Sequence, residues 1–402
     1  MVPLRALLLA ASLAAPAAAT RLVVDCDQQQ AGASDAAAAP SSFPTLAAAR
    51  DELRRARVEA AGAADAQHAA ATIEVRGRCA EGPLELSGPL DSSVRWVGAP
   101  GAAHSGGLQL PASELAPVSD PAALALLPSG AHAHVQQLNL SALGLNASAV
   151  GKLGPHHYPG GDAQINFFLF EPTGAAEVFW ANGAALHRAR YPNSDDDQLL
   201  IPQNSMLVTS VHHGDGGAEI NSVGDSLPED GRGVPVQGSA QLARWAAELA
   251  SGRDVWAHGE WSALGWADVH KPVVAVNASA LTVSTTYAPP DPHNSEGRSG
   301  SGGWFRVYNL LSELDAPGEY VIAELGGSLL LLVYPPAEAA IPSALGEGGP
   351  TLSMSVGPVL HVHDAHDVSF SGIDIEYGRG WGAVFDDCEG CAITDCRVRL
   401  PV

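Results

Sequence analysis

Short apolar segments near the C-terminus repeat at a fixed offset. The segment VSFSGIDIE (residues 368–376) aligns with CAITDCRVR (391–399), which begins 23 positions later. At the same offset Leu360 and Val362 align with Ala383 and Phe385. A repeat of this length, built from short strands with period-two alternation, is typical of a solenoid whose coils stack on one another. The offset therefore predicts that these strands lie beside each other in stacked coils.

The residues of the two segments agree with this stacking. Asp374 is aligned with Arg397, and Glu376 with Arg399. Opposite charges on neighbouring strands stabilise a sheet by roughly 0.2–1 kcal/mol for each pair. Three apolar pairs are also in register and are predicted to stack inside: Phe370/Ile393, Ile373/Cys396 and Ile375/Val398.

The rest of the chain is predicted to be mostly β structure. Residues 72–76 and 84–86 alternate between apolar and polar side chains, as half-buried strands do. Short apolar runs separated by Gly, Pro, Asn and Asp continue from about residue 130 to 350, with a helical pattern at 240–249. A helix is predicted after Thr45, its N-cap, through Arg57. The predicted fold class is all-β.

Charge and composition exclude several classes of protein. Acidic residues number 44 and basic residues 21, which gives a net charge of −23. No basic footprint for nucleic acid is present. Hydrophobic residues at 46% and charged residues at 16% exclude a coiled coil and a wholly disordered chain. The acidity suits a secreted protein that binds calcium or neutral sugars.

The N-terminus is typical of a secretory signal peptide over residues 1–19. Arg5 is followed by an apolar run at 6–15 and by small residues at 17–19. This run is too short to span a bilayer, and no later run approaches that length, so we expect a secreted protein without membrane insertion. Three sequons agree with that route and predict glycosylation: Asn139, Asn146 and Asn277.

The five cysteines would then meet an oxidising compartment. Cys26 and Cys79 are predicted to form an N-terminal disulfide. Cys388, Cys391 and Cys396 leave one thiol unpaired. A zinc site at the C-x-x-C of 388–391 is discounted, because the sequence has no second such pair.

Segments spread over residues 43–399 carry a resemblance to a known group of proteins. They are FPTLAAAR (43–50), DSS (91–93), SGG (105–107), RARYPN (188–193), WAHGEW (256–261), WAD (266–268), NLLSELDAPGEY (309–320), VYPP (333–336) and FSGIDIE (370–376). In this order they resemble right-handed parallel β-helix proteins related to pectate lyases. The closer likeness is to the glycoside-hydrolase-like group that carries an inserted β domain.

The resemblance implies a right-handed parallel β-helix with an N-terminal capping helix and a large inserted β-rich domain. After the signal peptide we expect a flexible lead-in (20–42), a capping helix and first coils (43–125), the inserted domain (126–350) and resumed coils (351–402). In this group the catalytic carboxylates lie on coils further downstream than the second resumed coil, which this sequence reaches at Val402. The resemblance thus implies a truncated β-helix without its C-terminal catalytic coils.

The implied function is that of a secreted carbohydrate-active protein. A glycoside hydrolase, or a polysaccharide lyase, acting on extracellular polysaccharide is expected by this resemblance. The alternative is a non-catalytic glycan-binding or cell-surface structural protein, because one fold hosts many functions. A polysaccharide or another glycan is the expected partner in each case.

The acids of the visible coils offer only weak catalytic candidates. Glycoside hydrolysis usually needs two carboxyl groups across one bond. Asp374 and Glu376 have predicted arginine partners and are given a structural role, and among the other acids of these coils the weak candidates are Asp364, Asp386 and Asp387. Asp at a turn commonly caps its own backbone, which is the competing role. The catalytic pair is therefore unassigned.

Two histidines suggest a binding surface. In a strand His361 and His363 share a face, and the offset places His363 beside Asp386. Imidazole and carboxylate together bind transition metals, but a hydrogen-bonded or solvent-facing pair is the more common arrangement. We predict that His361, His363 and Trp381 contact substrate, and we assign no metal ligand.

Calcium is the one cofactor that the sequence leaves open. The acidic run at 195–197 supplies oxygen ligands but lacks the spacing of a calcium loop. A solvated acidic turn is the favoured interpretation, and no cofactor is assigned.

Overall fold

A computed structural model describes residues 20–27, 42–60, 69–153, 174–181, 183–193, 205–213, 218–225, 233–260, 268–286, 304–337 and 349–399. The chain divides into two compact units. The first comprises Met1–Ser105, Leu360–Ile375 and Ala383–Val398, and the second comprises Gly106–Val359, Glu376–Gly382 and Arg399–Val402. Within the described residues strands greatly outnumber helices, so the predicted all-β class is confirmed.

The elements are as follows in chain order. The strands are β1 (Thr20–Asp25), β2 (Ser42–Phe43), β3 (Ala71–Arg76), β4 (Arg78–Ala80), β5 (Leu84–Ser87), β6 (Val94–Gly98), β7 (Ala103–Ser105), β8 (Gly107–Gln109), β9 (Ala116–Pro117), β10 (Gln136–Asn139), β11 (Val178–Phe179), β12 (His187–Arg188), β13 (Arg190–Tyr191), β14 (Met206–His213), β15 (Ala218–Val223), β16 (Trp256–Glu260), β17 (Asp268–Asn277), β18 (Thr282–Thr286), β19 (Trp304–Tyr308), β20 (Glu319–Leu325), β21 (Ser328–Val333), β22 (Thr351–Ser353), β23 (Leu360–His363), β24 (Val368–Ser371), β25 (Asp374–Glu376), β26 (Ala383–Asp386), β27 (Ala392–Thr394) and β28 (Val398–Arg399). The helices are α1 (Leu46–Ala60), α2 (Pro121–Leu126), α3 (Ala147–Val150) and α4 (Ser239–Ala250). Two short 3₁₀ turns span Ala112–Glu114 and Leu311–Glu313.

The first unit contains parallel sheets. One has the strand order β2-β1-β3-β6-β24-β27 and a second has the order β26-β23-β5, and their pairings are parallel throughout. Phe370 pairs with Ile393, and Leu360 with Ala383. This is the register that the sequence offset predicts. Both predicted charge pairs are also present, with Asp374 Oδ2 at 3.1 Å from Arg397 Nη2 and Glu376 Oε1 at 3.6 Å from Arg399 Nη1.

A row of large apolar side chains crosses the six-stranded sheet. Ile73, Trp96, Phe370 and Ile393 occupy the same register position on β3, β6, β24 and β27. The rings of Trp96 and Phe370 stack with centroids 5.6 Å apart and planes within 3°. Ile73, Trp96 and Phe370 are buried, whereas Ile393 on the last strand of the row is half-buried. The apolar side chains of each strand are thus buried against those of the neighbouring strands.

Left-handed residues make the turns between these strands. The first corner holds Gly88, Asp364 and Asp387, with φ of 68°, 50° and 46°, and the second holds Ser93, Asp367 and Gly390, with φ of 55°, 54° and 67°. Residues with φ in this range are mostly Gly, Asn or Asp, because larger side chains clash with the backbone there. Aspartates recur in these turns for a conformational reason.

Helix α1 begins where the sequence predicts. The Oγ1 of Thr45 accepts a hydrogen bond of 3.0 Å from the Ala48 N–H, as an N-cap does. The carboxylate of Glu81 accepts two more, from the N–H groups of Leu46 (2.8 Å) and Ala47 (3.2 Å). Negative charge at a helix N-terminus is stabilising. Three of the unpaired N–H groups of the first turn are therefore satisfied.

The buried face of α1 ends at a charged residue, Arg57, whose side chain donates hydrogen bonds to backbone carbonyls. Leu53 packs inward, and one turn later the Arg57 guanidinium is almost fully buried. It donates to the carbonyls of Leu90 and Ser92 at 2.7 Å and of Ala69 at 2.8 Å. Hydrogen bonds of this kind offset the cost of burying the cation.

The first strand corrects one prediction. Residues 20–25, expected to be part of a flexible lead-in, form β1 and pair in parallel with β3 over its whole length. The apolar run at 22–24 gives this segment a side to bury, and Val24 is fully buried. A disulfide joins Cys26, directly after β1, to Cys79 on β4.

The second unit is built differently. Its largest sheet has the order β13-β19-β14-β15-β18-β17-β16, is antiparallel, and closes on itself because β19 also pairs with β16. Two smaller sheets, β12-β20-β21-β10-β9 and β11-β22-β8, are mixed and antiparallel respectively. Helix α4 confirms the helical pattern at 240–249 and packs Leu242 and Trp245 into the core under the largest sheet. The two parallel sheets β2-β1-β3-β6-β24-β27 and β26-β23-β5 thus belong to the first unit.

The apolar row predicts a large effect for one truncation. Phe370→Ala removes a buried ring that stacks on Trp96, so we expect the free energy of unfolding to fall by about 3–5 kcal/mol. Val398 was predicted to stack inside but is 49% exposed, so Val398→Ala is the control and should change stability by less than about 0.5 kcal/mol. Urea unfolding followed by circular dichroism measures both. Equal stability of Phe370→Ala and the wild type would contradict this packing.

Candidate functional site

The outward face of the three-stranded sheet β26-β23-β5 carries the candidate site. On β5 and β23 the apolar residues Leu84, Leu86, Leu360 and Val362 point inward and are buried. The residues between them therefore point away from the core, since side chains alternate along a strand. His361 of β23 lies in register with Glu85 of β5, and His363 lies in register with Asp386 of β26.

The side chains on this face pair diagonally. The Nε2 of His363 lies 2.9 Å from Glu85 Oε1, although His363 is in register with Ser87. The Nε2 of His361 lies 3.0 Å from Asp386 Oδ2, although His361 is in register with Val384. Diagonal neighbours on one face are within reach of long side chains. Two imidazoles are thus held between two carboxylates.

The pairing changes the acid–base properties of the site. The hydrogen bond to Glu85 raises the pKa of His363, and the Asp364 carboxylate adds to this effect. The same hydrogen bond lowers the pKa of Glu85. A raised histidine pKa stabilises the fold at acidic pH, and this contribution is lost as the pH rises through the folded-state value. The pair is therefore charged in a wider range of pH than its members alone.

The donor atoms of this face are close to one another. One ligand atom each from Glu85, His361 and His363 lies within 4.8 Å of the other two. The rings of the two histidines are 4.7 Å apart between centroids and tilted by 33°. The sequence patterns led us to assign no metal ligand, and they did not identify Glu85 as a candidate site residue.

The other predicted catalytic acids occupy different positions. Asp364 and Asp387 sit at the left-handed corner that follows β23 and β26. Aspartate is favoured at turn positions with this backbone conformation, so both residues have a structural role that requires no catalytic function. Of the three candidates only Asp386 lies on a strand and faces an imidazole.

Trp381 belongs to the second unit. It is half-buried, and its backbone carbonyl accepts a hydrogen bond of 3.1 Å from the Val359 N–H. Its role in substrate binding stays a prediction. The acidic run at 195–197, considered for calcium, lies outside the described residues.

Three thiols lie near the site in the first unit. Cys388, Cys391 and Cys396 are free and half-buried. The Cys388 Sγ–H donates to the Val362 carbonyl at 3.3 Å, and burial raises the pKa of this thiol. Free thiols are potential metal ligands, so any test of metal binding has to separate them from the histidines.

The three sequon asparagines lie on the surface of the second unit. Asn139, Asn146 and Asn277 are exposed. Their Oδ1 atoms accept hydrogen bonds from the N–H groups of Ala142, Ala149 and Ala280 respectively, at 2.9–3.0 Å. These are turn and cap geometries of the kind that Asn favours, and they fit the expectation of accessible sequons.

A cleft of about 190 Å³ in the second unit is the competing site. Its two arginines already have buried partners, because Arg188 pairs with Glu177 and Arg253 Nε lies 2.7 Å from Glu248 Oε2. The Asp254 carboxylate accepts from Trp256 Nε1 and the Leu153 N–H. These charged groups of the cleft are engaged in contacts within the second unit. The outward face of β5, β23 and β26, whose carboxylates are exposed, is therefore the better candidate.

No protein family matches the sequence, and no curated protein matches it. A solved structure described as a glycoside hydrolase matches over 88% of this chain at 12% identity, with a TM-score of 0.46. The chain spans about half the length of that structure, 50% of which is covered. Among the described residues no helix has the length and apolar character needed to cross a membrane.

The Glu85–His363 pair predicts a measurable shift. In Glu85→Gln the carboxylate is lost, so the pKa of His363 should fall toward its ordinary value. Titration of the histidine ring protons by NMR measures this change. A His363 titration unaffected by Glu85→Gln would refute the pairing.

Proposed function

We propose that this chain belongs to a secreted carbohydrate-active protein that binds a polysaccharide on the outward face of β5, β23 and β26. The observation that carries the proposal is the pair of crossed imidazole–carboxylate contacts, His363–Glu85 and His361–Asp386. Carboxylates accept hydrogen bonds from hydroxyl groups, and imidazole both donates and accepts. A sugar ring presents hydroxyls in the spacing that such a row of groups can meet.

The exposure of these groups supports a binding role. The side chains of Glu85 and Asp386 are 62% and 44% exposed, and those of His361 and His363 are 22% and 27% exposed. Their charges are therefore accessible to a ligand, unlike the buried ion pairs of the second unit. Hydrogen bonds to charged groups are worth about 1.5–3 kcal/mol, enough to orient a sugar on this surface.

The architecture we propose for the first unit is a right-handed parallel β-helix. Its support is the parallel register of the sheets, the apolar row and the recurring left-handed corners. The second unit would then be the inserted β domain of the sequence-based division. In such a scaffold further coils extend the same outward face, which suits a linear polysaccharide.

Secretion follows from the signal peptide predicted at 1–19 and from the exposed sequons. We expect mature protein from secreting eukaryotic cells to begin at Thr20, which N-terminal sequencing checks. Enzymatic removal of N-glycans should lower its mass, and Asn139→Gln, Asn146→Gln and Asn277→Gln together should abolish that change.

Hydrolysis is a second candidate function, with Glu85 and Asp386 as the acid and base. They lie on the two strands that flank β23, with their side chains on the same outward face. Inverting glycosidases use two carboxyl groups about 6.5–9.5 Å apart, which leaves room for a water molecule between them and the sugar. Glu85→Gln and Asp386→Asn should each abolish release of reducing sugar if this candidate is right.

Binding is tested with the full chain on a panel of immobilised polysaccharides, with a chelator present to remove metal ions. We expect at least one polysaccharide to bind. His361→Ala, His363→Ala and Asp386→Asn should each weaken that binding by about tenfold or more. His366→Ala changes an exposed imidazole beside the site and should bind as the wild type does. Absence of any polysaccharide binding, or equal binding by all variants, would contradict the proposal.

A further inference from the structure

We propose that Glu85, His361 and His363 form a binding site for a divalent transition metal ion of the zinc class, with Asp386 as the fourth donor. The site lies on the outward face of the first unit and draws its ligands from three adjacent strands, β5, β23 and β26. It uses the groups that the proposed function assigns to polysaccharide binding, but its test measures zinc affinity alone, so each proposal can fail without the other.

The distances suit such an ion. Zinc–nitrogen and zinc–oxygen bonds of about 2.0–2.2 Å place tetrahedral donor atoms about 3.3 Å apart. The donor atoms of Glu85, His361 and His363 already lie within 4.8 Å of one another. Each pair therefore needs to approach by at most about 1.5 Å. Exposed side chains make such an adjustment by small rotations, without a change in the backbone.

The donor set also suits a transition metal better than calcium. Two imidazole nitrogens and two carboxylate oxygens favour zinc-like ions, whereas calcium prefers six to eight oxygen ligands. His361 and His363 are two residues apart on one strand and therefore share a face. The backbone thus holds both nitrogen donors in place before an ion arrives.

The hydrogen bonds of this face are the contacts that an ion would replace. His363 Nε2 is 2.9 Å from Glu85 Oε1, and His361 Nε2 is 3.0 Å from Asp386 Oδ2. In each contact a proton lies between two atoms that are both metal ligands when the proton leaves. Metal binding requires deprotonated imidazole, so the ion would displace these protons.

Isothermal titration calorimetry with ZnCl₂ tests the site on the full chain, after treatment with chelator and dialysis to about pH 7.5. We expect binding at a single histidine-dependent site. Glu85→Gln, His361→Gln and His363→Gln should each weaken the affinity by at least about tenfold. His366→Gln is the matched control and should retain the wild-type affinity.

Two outcomes would overturn the proposal. One is a wild-type chain that does not bind zinc, and the other is a set of three ligand variants that bind as tightly as the wild type. Glu85→Gln keeps the experiment decisive if a histidine variant misfolds, because Glu85 is exposed and the change preserves its shape. Circular dichroism confirms that each variant tested is folded.

The free thiols require a separate arm. The variant carrying Cys388→Ser, Cys391→Ser and Cys396→Ser should keep the histidine-dependent affinity. If it loses zinc binding while the histidine variants retain it, the ion is held by thiolates and the proposal is wrong. The polysaccharide assay, run with chelator, reports separately on the proposed function.

Discussion

The stacking of apolar side chains in register is the constraint on which the first unit depends. A single short strand cannot bury its own apolar face, so each strand is stable only beside the next. The row formed by Ile73, Trp96, Phe370 and Ile393 meets this need across four strands. Its centre is the contact between Trp96 and Phe370, which joins strands that lie before and after the sequence of the second unit.

The same register places the functional groups. Because side chains alternate, an inward Leu84 and an inward Leu360 require that Glu85 and His361 point outward. A slip of one residue would bury the charged groups and expose the apolar ones, so packing in the core fixes the outer face. The crossed contacts of both histidines with Glu85 and Asp386 then follow from the length of the side chains.

The sequence predicts the contacts whose two residues are close together in the chain. The pairing of Phe370 with Ile393 and the ion pair of Asp374 with Arg397 follow from the offset, and helix α1 follows from its periodicity and its N-cap. The corner positions of Asp364 and Asp387 agree with the turn preference of aspartate.

The sequence does not predict the contacts between residues that are far apart in the chain. Residues Gly106–Val359 of the second unit lie between Glu85 and His363 in the sequence, and no local sequence pattern predicts their contact. One signal was present: LEL at 84–86 has the alternation of LHV at 360–362, and Ile73 precedes Trp96 by the same offset as Phe370 precedes Ile393. The diagonal direction of the side-chain contacts depends on rotamers, which the alternation of residue types does not specify.

The most direct test of the register between strands that are distant in the sequence is disulfide trapping between β6 and β24. Arg95 and Ser369 are paired in register and point away from the core, so the double variant Arg95→Cys/Ser369→Cys should form a disulfide that peptide mapping detects. The shifted pair, Arg95→Cys/Ser371→Cys, should not, because two residues displace the thiols by about 7 Å along the strand. Trapping of the shifted pair in preference to the paired positions would contradict the account.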